Sequence, residues 1–180
     1  MHTTTFRYDP ARERLNRIET WKVMGHLTFT HPIPEVERIA IWTTVLRLLA
    51  RRIKITSDDL RWVLKEEGDF EHKLHHFHFL LDGSNLLNKD ATKLATNFAK
   101  LWFMAGGGNH DVRPYVLERD SHGYQKAVSY ITKLENFRVP FSAYFNAGED
   151  CHLKFSDAMD RHIAEVCNTA TQQNRKDTHD

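Results

Sequence analysis

A short stretch of alternating histidine and bulky apolar residues constrains the fold of this chain most strongly. Residues 74–81 read LHHFHFLL. Successive side chains of a β-strand point to opposite faces of the sheet, so His76 and His78 share one face while Phe77 and Phe79 point the other way. The pattern predicts a strand with a packed core on one side and two imidazoles on the other.

The remaining apolar patterns predict alternating strands and helices. Strands are predicted at 21–30, 59–66, 74–81 and 111–118, where β-branched and aromatic residues are bounded by proline or turn residues. Helices are predicted at 35–53, 91–104 and 121–134, where apolar residues recur at helical spacing. Turn residues at 67–69 make the second and third strands neighbours. We therefore expect an α+β fold, with a central antiparallel sheet of about five strands flanked by helices.

Length and composition are those of an ordinary globular domain. The chain has 180 residues, of which 41% are hydrophobic and 27% are charged, and a domain takes roughly 100–200 residues. We expect an irregular N-terminal arm at 1–20, a main domain at 21–140, and a C-terminal extension with a disordered tail at 141–180. Because there is no long apolar run and no secretion signal, we expect a cytoplasmic protein that does not contact a membrane.

The histidine pair predicts a metal site. Imidazoles on one face of a strand can converge on one ion, and imidazole is a common ligand of divalent transition metals. A third ligand must come from a neighbouring element, and Glu67 and Glu66, near the end of the preceding strand, are the nearest candidates. Two alternatives stay open: solvated surface histidines, and the two-histidine, one-carboxylate site of a non-heme Fe(II) oxygenase.

A tyrosine on the last predicted helix is a candidate nucleophile. Tyr130 and Lys133 are three residues apart and hence neighbours on one helix face. A cation beside a phenol favours phenolate and would stabilise charge that builds up on a phosphate. Tyr124 is a second candidate, but at about 100° per residue it lies away from Tyr130 around the helix. A half-buried structural tyrosine with a solvated hydroxyl is the alternative interpretation.

Three segments, taken in order, resemble the motifs of the HUH endonucleases, in particular the rolling-circle replication initiators of small plasmids and phages. Residues 25–30, GHLTFT, are similar to the first motif. Residues 74–81 contain the His-hydrophobic-His of the second motif, and residues 127–133, AVSYITK, contain the Tyr-x-x-Lys of the third. The resemblance would make residues 21–140 the nicking domain.

The resemblance also implies a role for each matching residue. His76 and His78 would bind a divalent ion, Mn²⁺ or Mg²⁺, with Glu67 as third ligand and Glu66 as the alternative. Tyr130 would be the nucleophile and Lys133 its helper. Because Tyr124 and Tyr130 lack the spacing of two-tyrosine members, a single-tyrosine enzyme is implied.

The implied activity is sequence-specific nicking and joining of single-stranded DNA through a covalent 5′-phosphotyrosine intermediate. It would initiate rolling-circle replication at a hairpin origin. Since no GxxxxGK[ST] motif occurs in the sequence, a host helicase would separate the strands, and a host polymerase would extend the free 3′-hydroxyl. A transposase or relaxase of the same superfamily, and a non-catalytic DNA-binding module, are the alternatives.

Charge by itself argues neither for nor against DNA. Lys plus Arg number 25 against 24 Asp plus Glu, a net charge of +1. A basic cluster at the end of one predicted helix is a candidate DNA contact, with an ordinary solvated helix face as the alternative. Its members are Arg47, Arg51, Arg52 and Lys54.

Overall fold

The protein has one antiparallel sheet with helices on both faces. A computed structural model describes residues 10–69, 74–83, 86, 88–132 and 153–176. The strands are β1 (Trp21–Thr28), β2 (Trp62–Asp69), β3 (Leu74–Asp82), β4 (His110–Pro114) and β5 (Leu153–Phe155). They pair in the order β4-β1-β3-β2-β5. The predicted α+β class is confirmed, and four strands make up most of the sheet because β5 has only three residues.

Five α-helices accompany the sheet in the described ranges. They are α1 (Pro10–Asn16), α2 (Glu35–Ile53), α3 (Ala91–Met104), α4 (Lys126–Ile131) and α5 (Asp157–Lys176). The predicted bounds of α2 and α3 are confirmed, because local signals mark both ends. At the start of α3 the Asp90 carboxylate accepts a hydrogen bond of 2.9 Å from the backbone N–H of Lys93. The end of α2 is marked by Lys54, which adopts a left-handed conformation with φ 61°.

The apolar face of β3 packs against α2 and α3. Phe79 stacks on Phe98 of α3 with ring centroids 4.5 Å apart, and Trp42 of α2 meets Phe77 edge-on. A Cβ added at Gly25 of β1 would lie 2.4 Å from Cε1 of Phe79, so the ring packs directly over the neighbouring backbone. The main core therefore lies on the side of the sheet that the phenylalanines predict.

A second, smaller core covers one end of the opposite face. Leu80 of β3 and Val63 of β2 are paired residues and both are buried. The helices α1, α4 and α5 supply Leu15, Val128 and Met159 to this cluster. The other end of the same face, which carries His76 and His78, is therefore bordered by packed helices.

Two expectations for the N-terminal half are wrong. Residues 1–20 are not an irregular arm throughout: α1 forms at Pro10–Asn16, and Leu15 and Ile18 are buried in the second core. The predicted turn at 67–69 is strand, because β2 continues to Asp69 and pairs with β3 up to Leu74. Glu66 and Glu67 are consequently sheet residues with defined faces.

Three boundaries in the second half also differ. The strand β4 ends at Pro114, where proline lacks a donor for continued pairing. The last predicted helix begins at Lys126, not at Ser121, because residues 120–124 form a turn that contains Gly123 at φ 83°. The predicted disordered tail is wrong for residues 170–176, which belong to α5.

Candidate functional site

Strand pairing builds one polar surface from three strands. His78 of β3 lies opposite His26 of β1 and opposite Lys65 of β2. One step along, His76 lies opposite Glu67 of β2. Directly paired residues of antiparallel strands share a face. All five side chains therefore point to the same side of the sheet, away from the main core.

Three imidazoles converge on this surface. The rings of His26 and His78 are stacked with centroids 4.7 Å apart, and the ring of His76 meets each of them edge-on at 5.0 Å. One nitrogen from each ring lies within 4.8 Å of the other two. Burial, followed by the charges of His78 and His76, lowers the pKa of His26. The neutral imidazole of His26 is therefore favoured, and this is the form that binds a metal.

Glu67 completes the surface with a carboxylate. Its Oε2 lies 3.1 Å from His76 Nε2 and 3.4 Å from His78 Nε2, and its Oε1 lies 2.5 Å from Lys65 Nζ. Burial raises the pKa of this carboxyl, but its contacts with His76, His78 and Lys65 outweigh that effect and hold the pKa well below its usual range. Glu67 is therefore ionised beside the imidazoles.

The two glutamates proposed as third ligand have separate environments. Glu67 meets both histidines of the predicted pair. Glu66 pairs with Phe77 and points to the opposite face, where it forms an ion pair with Arg38 and lies 3.3 Å from His75 Nδ1. The alternation of strand side chains therefore separates Glu66 from His76 and His78.

His26 is the third member of the imidazole cluster, and the sequence did not predict it as a ligand. It lies in the segment that resembles the first HUH motif, for which no residue role was predicted. Its contact with His78 depends on β1 pairing with β3. The alternation of side chains along β1 is a signal in the sequence that predicts which face His26 lies on. It does not predict which strand pairs with β1, and so it could not place His26 beside His78.

Tyr130 lies against the imidazole cluster. Its ring meets the ring of His78 edge-on with centroids 4.9 Å apart, and the residue is 52% exposed. A cavity of about 560 Å³ has Tyr130 and all three histidines in its wall. The fold thus brings the predicted nucleophile to the predicted metal-binding pair. Lys133 lies outside the described residues.

Tyr124 has a different environment. Its hydroxyl donates a hydrogen bond to the Glu13 carboxylate of α1, and the Arg12 guanidinium lies 5.1 Å from its ring centre. The bond to Glu13, with burial, raises the pKa of Tyr124. Tyr124 is therefore bound to α1 and disfavoured as a phenolate.

A buried polar network holds the start of α4, the helix that carries Tyr130. Gln125 is fully buried; its Nε2 donates to the backbone oxygens of Ile18 and Asn16 at 2.8 and 2.9 Å. Its Oε1 accepts a 2.6 Å hydrogen bond from the Tyr115 hydroxyl. Asp120 accepts a 2.8 Å hydrogen bond from Ser129 of α4. These contacts position the helix and were not predicted.

Charged groups of both signs surround the histidines. Arg113 and Lys126 line the cavity together with Asp111 and Glu118. Lys126 Nζ lies 2.9 Å from Glu118 Oε2. The site therefore offers cations for a phosphate as well as carboxylates.

The basic cluster predicted to contact DNA lies elsewhere. Arg47, Arg51, Arg52 and Lys54 are exposed at the end of α2, and α2 packs on the apolar face of the sheet. These residues do not line the histidine cavity.

None of the helices in the described ranges is both long and apolar enough to cross a membrane. Comparisons of the chain with protein-family models, with curated proteins and with solved structures found no match. A functional proposal therefore depends on the sequence motifs and on the arrangement of these residues.

Proposed function

We propose that this chain is a metal-dependent DNA endonuclease of the HUH type, which nicks and joins single-stranded DNA to initiate rolling-circle replication. One observation carries the proposal. Tyr130, the residue that matches the motif's nucleophile, lies with its ring 4.9 Å from that of His78, which matches its metal ligand. Both line one cavity with His26 and His76.

The imidazole cluster fits a divalent ion. His78 Nε2 is buried and finds no partner in hydrogen-bond geometry among the described residues, which suits a nitrogen whose lone pair binds a metal. Ligand atoms that share an ion at about 2.1 Å lie roughly 3.0–3.5 Å apart, and Glu67 Oε2 lies 3.1 and 3.4 Å from the two Nε2 atoms. His76 and His78 would be ligands, with His26 and Glu67 as the candidates for the third position.

The donor set favours Mn²⁺ over Mg²⁺, because imidazole nitrogen suits a transition metal better than it suits Mg²⁺. When bound, the ion would polarise a phosphate oxygen as a Lewis acid.

The chain's own residues account for the transfer. The Tyr130 phenol gives up its proton to solvent and attacks the scissile phosphorus, which forms a phosphotyrosine bond to the 5′ side of the cut. The bond from phosphorus to the 3′-oxygen breaks, and that oxygen takes up a proton to give a free 3′-hydroxyl. The reverse reaction rejoins the strand. Arg113 and Lys126 in the cavity wall would bind the non-bridging phosphate oxygens.

The biological setting follows from the same chemistry. The free 3′-hydroxyl is a primer for a host polymerase, and a host helicase would unwind the duplex. A hairpin origin would present the scissile strand as single-stranded DNA. We place these events in the cytoplasm.

The alternatives differ in what they require. A transposase or relaxase of the same superfamily would use the same residues on another DNA. A non-catalytic DNA-binding module would leave Tyr130 unused. The Fe(II) oxygenase alternative needs its ligands on a double-stranded β-helix barrel, whereas these histidines lie on a single five-stranded sheet.

The decisive experiment detects the covalent intermediate. Purified protein is incubated with Mn²⁺ and labelled single-stranded oligonucleotides that contain hairpins, and adducts are separated on a denaturing gel. The wild type is expected to form an adduct that Tyr130→Phe does not form. Tyr124→Phe is the matched control and should retain it, because Tyr124 is bound to Glu13. An adduct with Tyr130→Phe would overturn the nucleophile assignment.

A further inference from the structure

A second cavity lies across the edge of the sheet from the first. It has a volume of about 670 Å³ and lies between the last turns of α3 and the strand β4. Phe103 and Met104, which line it, are 72% and 74% exposed. Two adjacent large apolar side chains exposed in the wall of one groove form a patch of the kind that marks a binding surface.

The exposed face of α3 carries cations as well as the aromatic ring. Lys93, Thr96, Lys100 and Phe103 are exposed and follow one another at spacings of three and four residues. They therefore form one stripe along the helix. The helix contains two lysines and no acidic residue. Cations that lead to an exposed aromatic ring are the combination that binds single-stranded nucleic acid, since lysines contact phosphates and the ring stacks on a base.

The two cavities meet at β4. Asp111 lies opposite His26 and lines both of them. Its neighbours His110 and Val112 point to the other face of the sheet and line only the second cavity. A DNA strand that leaves the histidine cavity can therefore cross the edge of the sheet at Asp111. The carboxylate there repels phosphate but accepts a hydrogen bond from a base amino group.

We infer that the groove between α3 and β4 binds the single-stranded DNA that flanks the cleavage site, with Phe103 stacking on a base and Lys100 contacting a phosphate. The inference rests on the proposed function for the identity of the nucleic acid. A polyanion fits the groove better than an apolar protein segment, because α3, which borders it, carries two lysines and no acidic residue.

The test measures DNA binding and adduct formation separately. Binding of a labelled oligothymidine of about 20 nucleotides, which exceeds one binding site, is followed by fluorescence anisotropy in EDTA so that no cleavage occurs. Phe103→Ala should weaken binding about tenfold, the fold-change expected for loss of one stacked base. Lys100→Gln should weaken it less and reduce its salt dependence. Val36→Ala is the control, since Val36 is also 74% exposed but lies on α2.

The outcomes distinguish the groove from the endonuclease. If Phe103→Ala binds oligothymidine as tightly as Val36→Ala while the wild type forms adduct, the groove proposal is wrong and the endonuclease proposal is supported. If Phe103→Ala loses DNA binding but the wild type forms no adduct, the groove proposal is supported and the endonuclease proposal is wrong. A wild type that does not bind oligothymidine overturns the groove proposal alone, and the adduct assay with hairpin oligonucleotides decides the endonuclease separately. A change of oligomeric state in Phe103→Ala with unchanged DNA binding would identify the groove as a self-association surface and overturn the inference.

Discussion

The two faces of β3 share one backbone and have opposite roles. Phe77 and Phe79 are 0% and 2% exposed and pack into the main core. His76 and His78 alternate with these phenylalanines along the strand, line the cavity on the opposite face, and contact Glu67 and Tyr130 there. One strand can thus separate stability from chemistry, because successive side chains point to opposite faces of the sheet. Substitutions on one face should therefore leave the other property nearly intact.

The largest effect is expected from His76→Ala on the polar face. Cleavage and adduct formation should be lost, since the site loses one of its two predicted histidine ligands. Stability without metal should change by no more than about 1 kcal/mol, because the lost hydrogen bond to Glu67 is partly exposed. Gel assays for adduct and urea unfolding in EDTA measure the two quantities. Retained cleavage would show that His76 is not a required ligand. A large loss of stability would show that the polar face also contributes to folding.

The reciprocal change is Phe79→Ala on the apolar face. Its ring is buried against Phe98 and Trp42, so the free energy of unfolding should fall by about 3–5 kcal/mol. The fraction that remains folded should still form adduct, because the ring lies on the opposite side of the sheet from the histidines. Urea unfolding measures the loss, and activity per folded molecule checks the second statement. A loss below about 1 kcal/mol would show that this face does not carry the core.

A smaller effect separates the two candidates for the third ligand. Removing a metal ligand should weaken Mn²⁺ binding by more than the roughly 10–100-fold that loss of an orienting partner costs. Isothermal titration of His26→Ala and Glu67→Gln with Mn²⁺ ranks the two residues. We expect both to bind more weakly than the wild type. Unchanged affinity in both variants would show that the ion, if bound, uses another position.

The smallest effect lies at the border between the polar surface and the second core. Burial raises the pKa of Tyr115 to about 12, above the unfolded value of about 10. A raised pKa favours the protonated folded form, so this stabilisation is complete below about pH 10 and is lost as the pH rises through 12. Tyr115→Phe should cost about 1 kcal/mol at pH 8, because Gln125 loses its hydrogen bond, and should flatten the alkaline decline. Urea unfolding at pH 8 and 11 measures both, and an equally steep decline in the variant would contradict the assignment.

Local pattern predicted much of the framework but only part of the site. The alternation in β3 and the apolar stripes of α2 and α3 are visible in any short window of sequence. The residues Glu67, Gly68 and Asp69 are predicted to form a turn, since Gly and Asp are common turn residues. Pairing with β3 instead extends β2 to Asp69. Likewise α1 is short and rich in charge, and its burial depends on contact with α4 and α5. Tertiary contacts outweighed local propensity at both places.

Short-range signals in the chain were enough to predict which side chains of β3 face the core, where α2 and α3 begin and end, and which residues resemble a nuclease motif. Those properties are local, because periodicity and capping act within a few residues. The folded chain was needed to show that β1 and β2 flank β3, that His26 and Glu67 therefore join His76 and His78, and that Glu66 does not. It also decided that α4 packs where Tyr130 meets His78. These placements follow from pairing and packing between distant segments, which no spacing along the chain encodes.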